Sequence, residues 1–372
     1  MRIGVLTSSR ADFGIYLPLL KRLKADDFFE LDIIAFGTHL SSFHGETVQQ
    51  ILKEGFDVKY KIESMLLTDS AESISTAIGL TSIKFAAFWA THGNEFDLVF
   101  CLGDRYEMFA AVTAGIALNI PFAHLHGGET TLGAIDNVFR HSITLASKYH
   151  FVSTTQYAKR VASIIDSEEN IYYVGALSLD NLDDVELLDI HGFEQRWGVD
   201  LSEDTVLTTF HPETINAANN VNYANELVEV IMKNSQFRFL ITMPNADTSG
   251  NGVRKILTDR LGENKNVYLI ENLGSQSYFT AMRYCSFLLG NTSSGIIEAA
   301  SFRKYVINLG DRQKGRAAGV NVINVPLIAD NIQRAIEEIK LREPYNGGNI
   351  YHKGNCSEEI IQVLKQIPRN AK

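Results

Sequence analysis

The chain has 372 residues, and its 34 Lys and Arg against 44 Asp and Glu give a formal net charge of −10. Hydrophobic residues make up 45% and charged residues 21%, which is typical of a packed globular protein and excludes a largely disordered chain. At about 150 residues per domain, this length predicts two domains. The negative charge argues against a nucleic-acid partner, because phosphate backbones are bound mainly by clustered Lys and Arg.

The cysteines and the first residues of the chain indicate an intracellular setting. Cys101, Cys285 and Cys356 are far apart and odd in number, which argues against a disulfide framework and against a structural zinc site. The opening MRIGVLTSSR is too short in apolar residues for a signal peptide, and no stretch approaches the ~18 apolar residues of a membrane span. We therefore expect a cytoplasmic protein with no membrane partner.

In the first half of the chain, short apolar runs alternate with helical patterns. Runs without polar alternation are typical of parallel strands covered on both faces. Strands are predicted at residues 3–7, 31–37, 97–103, 121–126, 150–154 and 171–176. Two sets of residues are spaced as on one face of a helix and predict two helices. The first face contains Tyr16, Leu19, Leu20 and Leu23, and the second contains Ile135, Val138, Phe139, Ser142, Ile143 and Ala146. This order indicates βαβ units in a doubly wound sheet.

The pattern changes around residues 177–204, which are acidic and poor in strand signals, as expected of a connection with a short helix. It then restarts, with strands predicted at residues 206–212, 237–244, 267–273, 286–293 and 305–310, and a helix near 356–366. We therefore expect an α/β fold of two Rossmann-like, doubly wound domains, at residues 1–176 and 177–354. Ligands of such sheets bind at the carboxyl ends of the strands, so we expect a ligand cleft between the domains.

Polar residues follow the predicted strands of the first half. Ser9 or Asp12 is predicted to cap the next helix, and Pro18 is compatible with that helix if it lies in the first turns. Arg10 is either a solvated side chain or part of an anion site beside helix-terminal N–H groups. Asp104, after the apolar run 97–102, is either a helix cap or an active-site carboxylate, and the sequence leaves both open.

The segment His124-Leu125-His126-Gly127-Gly128-Glu129 concentrates acid/base groups. In a regular strand the two histidines would share one face, but a metal site would need a third ligand such as Glu129. We expect one histidine to be a satisfied core residue and the other to act with Glu129 in acid/base chemistry. On the following helix, Asp136 and Arg140 form either a plain surface ion pair or a pair that faces the cleft.

The second half of the chain also has polar residues after its predicted strands. His211 follows a predicted strand and is either a turn residue or a ligand contact. Gly290–Gly295 opens a helix at Thr292 and Ser293, and hydroxyls with unpaired N–H groups at a helix start suit a phosphate. Ile296 stands where a P-loop requires Lys, and no GxGxxG follows a strand, so neither a P-loop nor a dinucleotide site is supported. Arg312, Lys314 and Arg316 place three cations just past a strand.

The motifs SSRADFGI, LGDRYE, HGGETTLGAIDNVFRHSI, FHPET, NADT, GNTSSGIIE and INLGDRQKGR occur in this order from residue 8 to residue 316. Together they resemble the hydrolysing UDP-N-acetylglucosamine 2-epimerases of sialic acid biosynthesis. The resemblance implies a GT-B-type fold, with a C-terminal helix at 355–372 that packs back on the first domain. It also implies a homodimer or homotetramer, no metal or other cofactor, and conversion of UDP-GlcNAc and water to ManNAc and UDP for capsule or surface glycans.

The same resemblance assigns residues. Contacts to UDP would fall on Arg10, Arg105, His211, Asn245, Thr292, Ser293, Glu298 and Arg312. Acid/base chemistry would fall on Asp104, His126, Glu129, Asp136 and His211. His126 stands where many members of the family have Glu, so the identity of the base at C2 of the sugar stays open.

Other activities remain compatible with this pattern. The nearest alternative is a hydrolysing 2-epimerase of UDP-2,4-diacetamido-2,4,6-trideoxyglucose in legionaminic acid biosynthesis, since the two sugars differ only at C4 and C6. A non-hydrolysing 2-epimerase would return UDP to the intermediate, and a GT-B glycosyltransferase would need an acceptor. A nucleotide-sugar sensor without activity would not need the acid/base groups at the strand ends.

Overall fold

The computed structural model describes residues 1–66, 70–130, 132, 135–213, 217–244 and 250–368. Within these ranges the chain divides into two compact units. The first unit contains residues 1–129, 135–181 and the chain from residue 353 onward, and the second contains Thr130, Leu132 and the described residues of 182–352. Apart from the short segment after residue 129, the chain leaves the first unit after residue 181 and returns to it at residue 353.

The first unit is built on a parallel sheet. Its described strands are β1 (Arg2–Thr7), β2 (Glu30–Phe36), β3 (Val58–Ile62), β4 (Leu98–Leu102), β5 (Phe122–Leu125), β6 (Tyr149–Val152) and β7 (Ile171–Tyr173). Their order in the sheet is β3-β2-β1-β4-β5-β6-β7, and each neighbouring pair is parallel. The chain order reverses direction between β1 and β4, which is the topological switch point of a doubly wound sheet.

The second unit repeats this arrangement. Its described strands are β8 (Thr205–Thr209), β9 (Arg238–Thr242), β10 (Val267–Ile270), β11 (Phe287–Gly290), β12 (Val306–Leu309) and β13 (Val322–Val325). They form a parallel sheet in the order β10-β9-β8-β11-β12-β13, with the switch point between β8 and β11. The predicted fold class, two doubly wound α/β units, is confirmed.

Helices connect the strands. The α-helices are α1 (Arg10–Ala25), α2 (Val48–Lys53), α3 (Ala71–His92), α4 (Tyr106–Thr113), α5 (Asp136–Ala146), α6 (Thr155–Ile165), α7 (Asp180–Asp184), α8 (Ile190–Trp197), α9 (Asn220–Lys233), α10 (Gly250–Leu261), α11 (Gly274–Tyr284), α12 (Ser293–Ile297), α13 (Ala329–Lys340) and α14 (Cys356–Gln366). Short 3-10 helices cover Gly37–Leu40, Ser42–His44, Gly93–Glu95, Ile116–Leu118, Leu177–Leu179, Ala217–Asn219 and Ala299–Phe302.

Each sheet carries an apolar core on both faces. In β1, Ile3 and Val5 pack with the buried face of α1, whereas Leu6 packs on the opposite face with Trp89 and Met108 of α3 and α4. Two corresponding clusters cover the second sheet. Because successive residues of a strand point to opposite faces, strands buried on both sides are mostly apolar without alternation, and this is why they were recognisable in the sequence.

Helix α1 contains a proline that its neighbours accommodate. Ser9 is the N-cap, since its hydroxyl accepts the N–H of Asp12 at 3.3 Å. Pro18 does not lie in the first turns, the condition under which the sequence made it compatible with the helix, but is the ninth residue of α1. Proline cannot donate to the carbonyl of Gly14, and that carbonyl instead accepts the side-chain amide of Asn181 at 3.0 Å.

The last helix, α14, packs against α1. The carboxylate of Asp180 accepts the N–H groups of Cys356 at 2.9 Å and of Ser357 at 2.6 Å, which satisfies two free donors at the start of α14. Arg22 of α1 donates to Glu358 at 2.7 Å. The chain after residue 353 is thereby held on the first unit.

Candidate active site

The predicted acid/base residues Asp104, His126 and Glu129 lie at the carboxyl edge of the first sheet, after β4 and β5. Gly103 follows β4 with φ +73°, a left-handed conformation that turns the chain and presents Asp104 at the strand end. The side chain of Asp104 is 25% exposed. Because the carboxyl ends of β4, β5 and β6 meet at this edge, residues distant in sequence come together here.

A buried arginine from α5 organises this edge. The side chain of Arg140 is 4% exposed; it forms an ion pair with the carboxylate of Asp104 and donates to the backbone carbonyl of His126 at 2.9 Å. The reading of Arg140 as half of a plain surface ion pair is therefore wrong. A buried guanidinium is tolerated only when carboxylates and carbonyls compensate its charge, and Arg140 has both.

The predicted buried face of α5 is partly wrong for the same reason. Ile143 is buried, but Ile135 and Val138 are 69% and 64% exposed. The face that packs on the sheet includes Arg140 and Thr144. Polar partners at the sheet edge thus outweighed the apolar period of this helix.

His126 and Glu129 form a hydrogen-bonded pair. The Nδ1 atom of His126 lies 2.6 Å from Oε1 of Glu129, and the same oxygen accepts the hydroxyl of Ser153 at 2.9 Å. The other carboxylate oxygen of Glu129 faces Arg140, with 3.8 Å between Oε2 and Nη1. The two side chains are 10% and 3% exposed. The expected cooperation of one histidine with Glu129 therefore has a geometric basis.

Two glycines make this pair possible. Gly128 has φ +75°, and a Cβ there would lie 2.8 Å from the carbonyl oxygen of Tyr157. A Cβ on Gly127 would lie 3.0 Å from Nδ1 of His124. His126 itself has φ +63°, which is rare for a residue with a side chain. The chain therefore doubles back tightly after β5, and this turn brings Glu129 to the ring of His126.

His124 is the satisfied core histidine. It lies in β5, fully buried, with Nε2 2.9 Å from the carbonyl oxygen of Gly103 and Nδ1 3.1 Å from the hydroxyl of Thr144. Burial lowers its pKa to about 3, so it is neutral at physiological pH. The two histidines do not share a ligand, since the chain leaves strand geometry at His126. Within the described residues no group of three or more His, Cys, Asp or Glu is placed to hold a metal ion.

A second charged group lies where β1 and β4 end. Arg105 donates to the buried carboxylate of Glu107 at 2.8 Å. Burial disfavours the charge of Arg105, but the carboxylates of Glu107 and Asp12 outweigh that effect and raise its pKa. Asp12 accepts the backbone N–H of Ser8 at 2.9 Å, and Arg10 beside it is exposed. The guanidinium of Arg105 is thus held at the sheet edge and is still 38% exposed.

In the second unit, the switch point holds His211. Its backbone N–H donates to Oδ1 of Asn291 at 2.7 Å, and the Asn291 amide donates back to the His211 carbonyl at 2.8 Å. The carbonyl of Asn291 accepts Arg312 at 3.1 Å and Gln313 at 2.9 Å. Burial, with the charge of Arg312 nearby, lowers the pKa of His211 to about 4. His211 and Arg312 therefore belong to one site, with a neutral imidazole at pH 7.

The predicted helix after Gly290 is short. Thr292 is the N-cap of α12, and its hydroxyl accepts the N–H of Ser294 at 3.3 Å. Ser293 is the first helical residue and half-buried. Glu298 is the C-cap residue of this helix and is 7% exposed. Burial raises the pKa of the nearby Tyr278 to about 12, so this tyrosine is a neutral neighbour of Glu298.

Asp136 and Asn245 are the remaining predicted site residues. Asp136 is the first residue of α5 and half-buried, at the helix end where a carboxylate is favoured by the dipole. Asn245 lies outside the described residues, as do Thr214 and Asp247 of the same motifs.

No helix in the described ranges combines the length and apolar character that crossing a bilayer requires.

The sequence reading missed the residues that hold the predicted ones in place. Ser153 follows β6, Glu107 lies in α4, and Asn291 follows β11. Each is polar and less than 3% exposed. All three come at or near the ends of apolar strands, which is the signal that would have identified them.

Comparison with known proteins identifies the family of this chain. A family model described as UDP-N-acetylglucosamine 2-epimerase matches residues 21–365. The chain is 34% identical, over 99% of its length and 96% of the relative's, to a UDP-N,N'-diacetylbacillosamine 2-epimerase (hydrolyzing) of Legionella pneumophila. It is 33% identical, over 98% and 94%, to the polysialic acid biosynthesis protein P7 of Escherichia coli.

Its fold resembles the crystal structure of a UDP-GlcNAc 2-epimerase from Neisseria meningitidis bound to UDP-GlcNAc, with a TM-score of 0.84 and 20% identity over 99% of this chain and all of that one. The family match covers most of the chain, and the relatives match it almost end to end. The chain therefore belongs to the UDP-N-acetylglucosamine 2-epimerase family.

Proposed function

We propose that this protein is a hydrolysing UDP-GlcNAc 2-epimerase, which converts UDP-GlcNAc and water to ManNAc and UDP for surface-glycan synthesis. The observation that carries the proposal is the cluster of Asp104, Arg140, His126 and Glu129 at the carboxyl edge of the first sheet. Inverting C2 of the sugar requires removing and restoring a proton, and this cluster places ionisable groups where a doubly wound sheet binds its ligand.

The proposed reaction has two stages. A base takes the proton from C2, the C2–H electron pair forms the C1=C2 double bond, and the C1–O bond breaks with its pair leaving on UDP. The resulting 2-acetamidoglucal then adds water: hydroxide forms the new bond to C1 and a proton is delivered to C2 on the opposite face. Two acid/base groups on opposite faces of the ring are needed, with environments that differ.

The first unit supplies candidates for both. Asp104, held by Arg140, His126 with Glu129, and Asp136 at the start of α5 are the groups we assign to proton transfer. The contrast in burial between the exposed part of Asp104 and the enclosed Glu129 gives them different surroundings. Such a difference is how two carboxylates acquire separate roles.

We assign the nucleotide to the residues that the family resemblance marks. Arg10 and Arg105 of the first unit, and His211, Thr292, Ser293, Glu298, Arg312 and Asn245 of the second, would contact UDP. The held guanidinium of Arg105 and the Arg312 side chain suit the charge that develops on the departing diphosphate. Stabilising that charge lowers the barrier to breaking the C1–O bond.

A second substrate has specific support. The Legionella relative, at 34% identity, is named for UDP-N,N'-diacetylbacillosamine, which carries an acetamido group at C4 and no hydroxyl at C6. The chemistry at C1 and C2 is the same for both sugars. A non-hydrolysing 2-epimerase would release UDP-ManNAc in place of free ManNAc.

One proton NMR time course in heavy water tests the proposal. The protein is incubated with UDP-GlcNAc and, separately, with the diacetamido sugar nucleotide, and the C1 and C2 signals of the sugar and the release of UDP are followed. We expect free ManNAc with deuterium at C2 and stoichiometric UDP. If UDP-ManNAc is the product, the protein is a non-hydrolysing 2-epimerase. If only the diacetamido sugar nucleotide is turned over, that compound and not UDP-GlcNAc is the substrate.

Variants connect the reaction to the cluster. Asp104→Asn and Asp136→Asn are expected to lower kcat by about 10²-fold or more, the size of an acid/base contribution. Asp204→Asn is the matched control, because this carboxylate accepts a serine hydroxyl at an exposed position before β8, at the amino edge of the second sheet. Near-normal turnover in both site variants would contradict the assignment.

A further inference from the structure

The surroundings of His126 and Glu129 give the two groups unequal access. The carboxylate of Glu129 is 3% exposed and its Oε1 atom accepts two hydrogen bonds, whereas the imidazole is 10% exposed at the open edge of the sheet. Among the described residues, the side-chain hydrogen bond of His126 is made through Nδ1, to Glu129. A group that takes a proton from substrate must reach it, so the partly accessible ring of His126 is better placed than the more enclosed carboxylate.

The contacts also determine which ring nitrogen carries the proton. The oxygen that faces Nδ1 already accepts the hydroxyl of Ser153, and the guanidinium of Arg140 lies 3.8 Å from the second oxygen. Both neighbours favour the ionised carboxylate, which can only accept hydrogen bonds. Nδ1 of His126 must therefore donate, and the neutral ring then has an unprotonated Nε2.

The backbone fixes the direction of the ring. The N–H of His126 donates to the carbonyl of Phe151 at 3.1 Å, and its carbonyl accepts Arg140 at 2.9 Å. These two bonds hold the residue in its left-handed conformation, at φ +63°. Strained backbone of this kind persists only where the surrounding structure imposes it, and it is concentrated at functional sites.

Ser153 has a place in the same chain of contacts. It follows β6, is 1% exposed, and donates to Glu129 at 2.9 Å. The contacts therefore run from Ser153 to Glu129 to Nδ1 of His126, and end at Nε2. This is the arrangement of a base whose tautomer is held by a buried carboxylate.

Building on the proposed function, we infer that His126 is the base that takes the C2 proton, and that Glu129 and Ser153 are positioning residues that never touch the sugar. The lone pair of Nε2 takes the proton, the C2–H pair becomes the C1=C2 π bond, and the C1–O pair leaves with UDP. The imidazolium that forms is stabilised by Glu129. Glu129 keeps its charge throughout, and the proton on Nε2 is returned to solvent before the next turnover.

The tautomer is measured directly by nitrogen-15 NMR of the full chain labelled at histidine, without substrate. The His126 signals are assigned from the spectrum of His126→Asn. In the neutral ring we expect the proton on Nδ1, and in Glu129→Gln we expect a shift toward the Nε2–H form, because an amide no longer favours donation from Nδ1. A proton on Nε2 in the unaltered protein would overturn the inference.

Kinetics test whether this arrangement serves the reaction. We expect Glu129→Gln to lower kcat by about 10²-fold or more and Ser153→Ala by roughly fivefold, with KM little changed in both. The matched control for the first is Glu95→Gln, which removes an Nδ1–Oε1 contact of the same 2.6 Å to His92. The control for the second is Ser286→Ala, which removes an exposed serine–carboxylate bond of 3.0 Å to Asp204.

The outcomes separate this inference from the proposed function. Equal kcat in Glu129→Gln and Glu95→Gln would remove Glu129 from the reaction, and full activity in His126→Asn would remove His126 as the base. If the unaltered protein releases no UDP from either sugar nucleotide, the proposed function fails, and the NMR spectra still decide whether the Glu129 contact holds the tautomer.

Discussion

Two histidine–glutamate pairs with the same spacing lie at opposite edges of the first sheet. His92 and Glu95 stand before β4, His126 and Glu129 stand after β5, and in each pair Nδ1 lies 2.6 Å from Oε1. An arginine accompanies each glutamate, Arg2 at 2.9 Å in the first pair and Arg140 at 3.8 Å in the second. The local chemistry of the two pairs is therefore nearly the same.

Their surroundings differ. The side chains of His92 and Glu95 are 33% and 34% exposed, and His92 has an ordinary backbone at the end of α3, packed on Tyr60 and Phe88. The other pair is nearly enclosed, and His126 has left-handed backbone. The difference teaches that the same hydrogen-bonded pair can be solvated at one edge of a sheet and nearly enclosed at the other, where electrostatic interactions are stronger.

The largest difference is expected for the arginines. Arg140→Met leaves Asp104 and Glu129 without their buried cation and is expected to lower the free energy of unfolding by about 3–5 kcal/mol. Arg2→Met, at an 18% exposed side chain with Lys59 still paired to Asp32, is expected to cost about 1–2 kcal/mol. Urea unfolding at pH 7.5 measures both, and Arg140→Lys serves if the methionine variant does not fold. Equal losses would mean that burial does not distinguish the pairs.

A smaller effect is expected for a histidine that has no carboxylate partner among the described residues. His150 in β6 is 1% exposed, and burial lowers its pKa to about 4. Between its ordinary pKa near 6.5 and 4 the unfolded chain binds a proton that the folded chain does not, so stability falls as pH falls through this window. At pH 5 the loss is about 2 kcal/mol for this group. The stability of His150→Phe should therefore decrease less between pH 7.5 and pH 5 than that of the unaltered protein; parallel curves would contradict this.

The smallest effect is expected for the exposed pair. The hydrogen bond from His92, with Tyr60 and Arg2 nearby, lowers the pKa of Glu95. Its contribution is therefore present above the ordinary pKa of glutamate and is lost as pH falls through the lowered value. Because the pair is solvated, Glu95→Gln should cost below about 1 kcal/mol at pH 7, and nothing once the glutamate is protonated. Thermal unfolding at low and high salt checks this, since screening should reduce the difference.

The strands show which elements could be predicted from the sequence and which could not. Residues such as Val5 and Val99 lie in short apolar runs, and those strands are at or near their predicted positions. The strands β3 and β13 were not predicted, and both are edge strands. In β3, the exposed Lys59 and Lys61 alternate with half-buried residues such as Tyr60. The strand therefore lacks the continuous apolar run that marks a strand covered on both faces.

The site was predicted in part for a related reason. Parallel strands joined by crossovers must present all their carboxyl ends at one edge, so the polar residues after each strand, such as Asp104 and His211, were recognisable as site candidates. The burial of Arg140 was not predicted, because the apolar period of α5 pointed to Ile135 and Val138. Helical periodicity reports an average preference and does not include a specific buried partner.

The amino-acid sequence alone determined the alternation of strands and helices, the two α/β units and the edge of each sheet where polar groups collect. These properties follow from short-range patterns of apolar residues, which each segment carries by itself. The tertiary structure decided which polar groups from separate elements meet: Arg140 with Asp104, and Glu129 with Ser153. Those contacts join residues from different strands and helices, and a buried charge selects its partner only when the fold has removed the water around it.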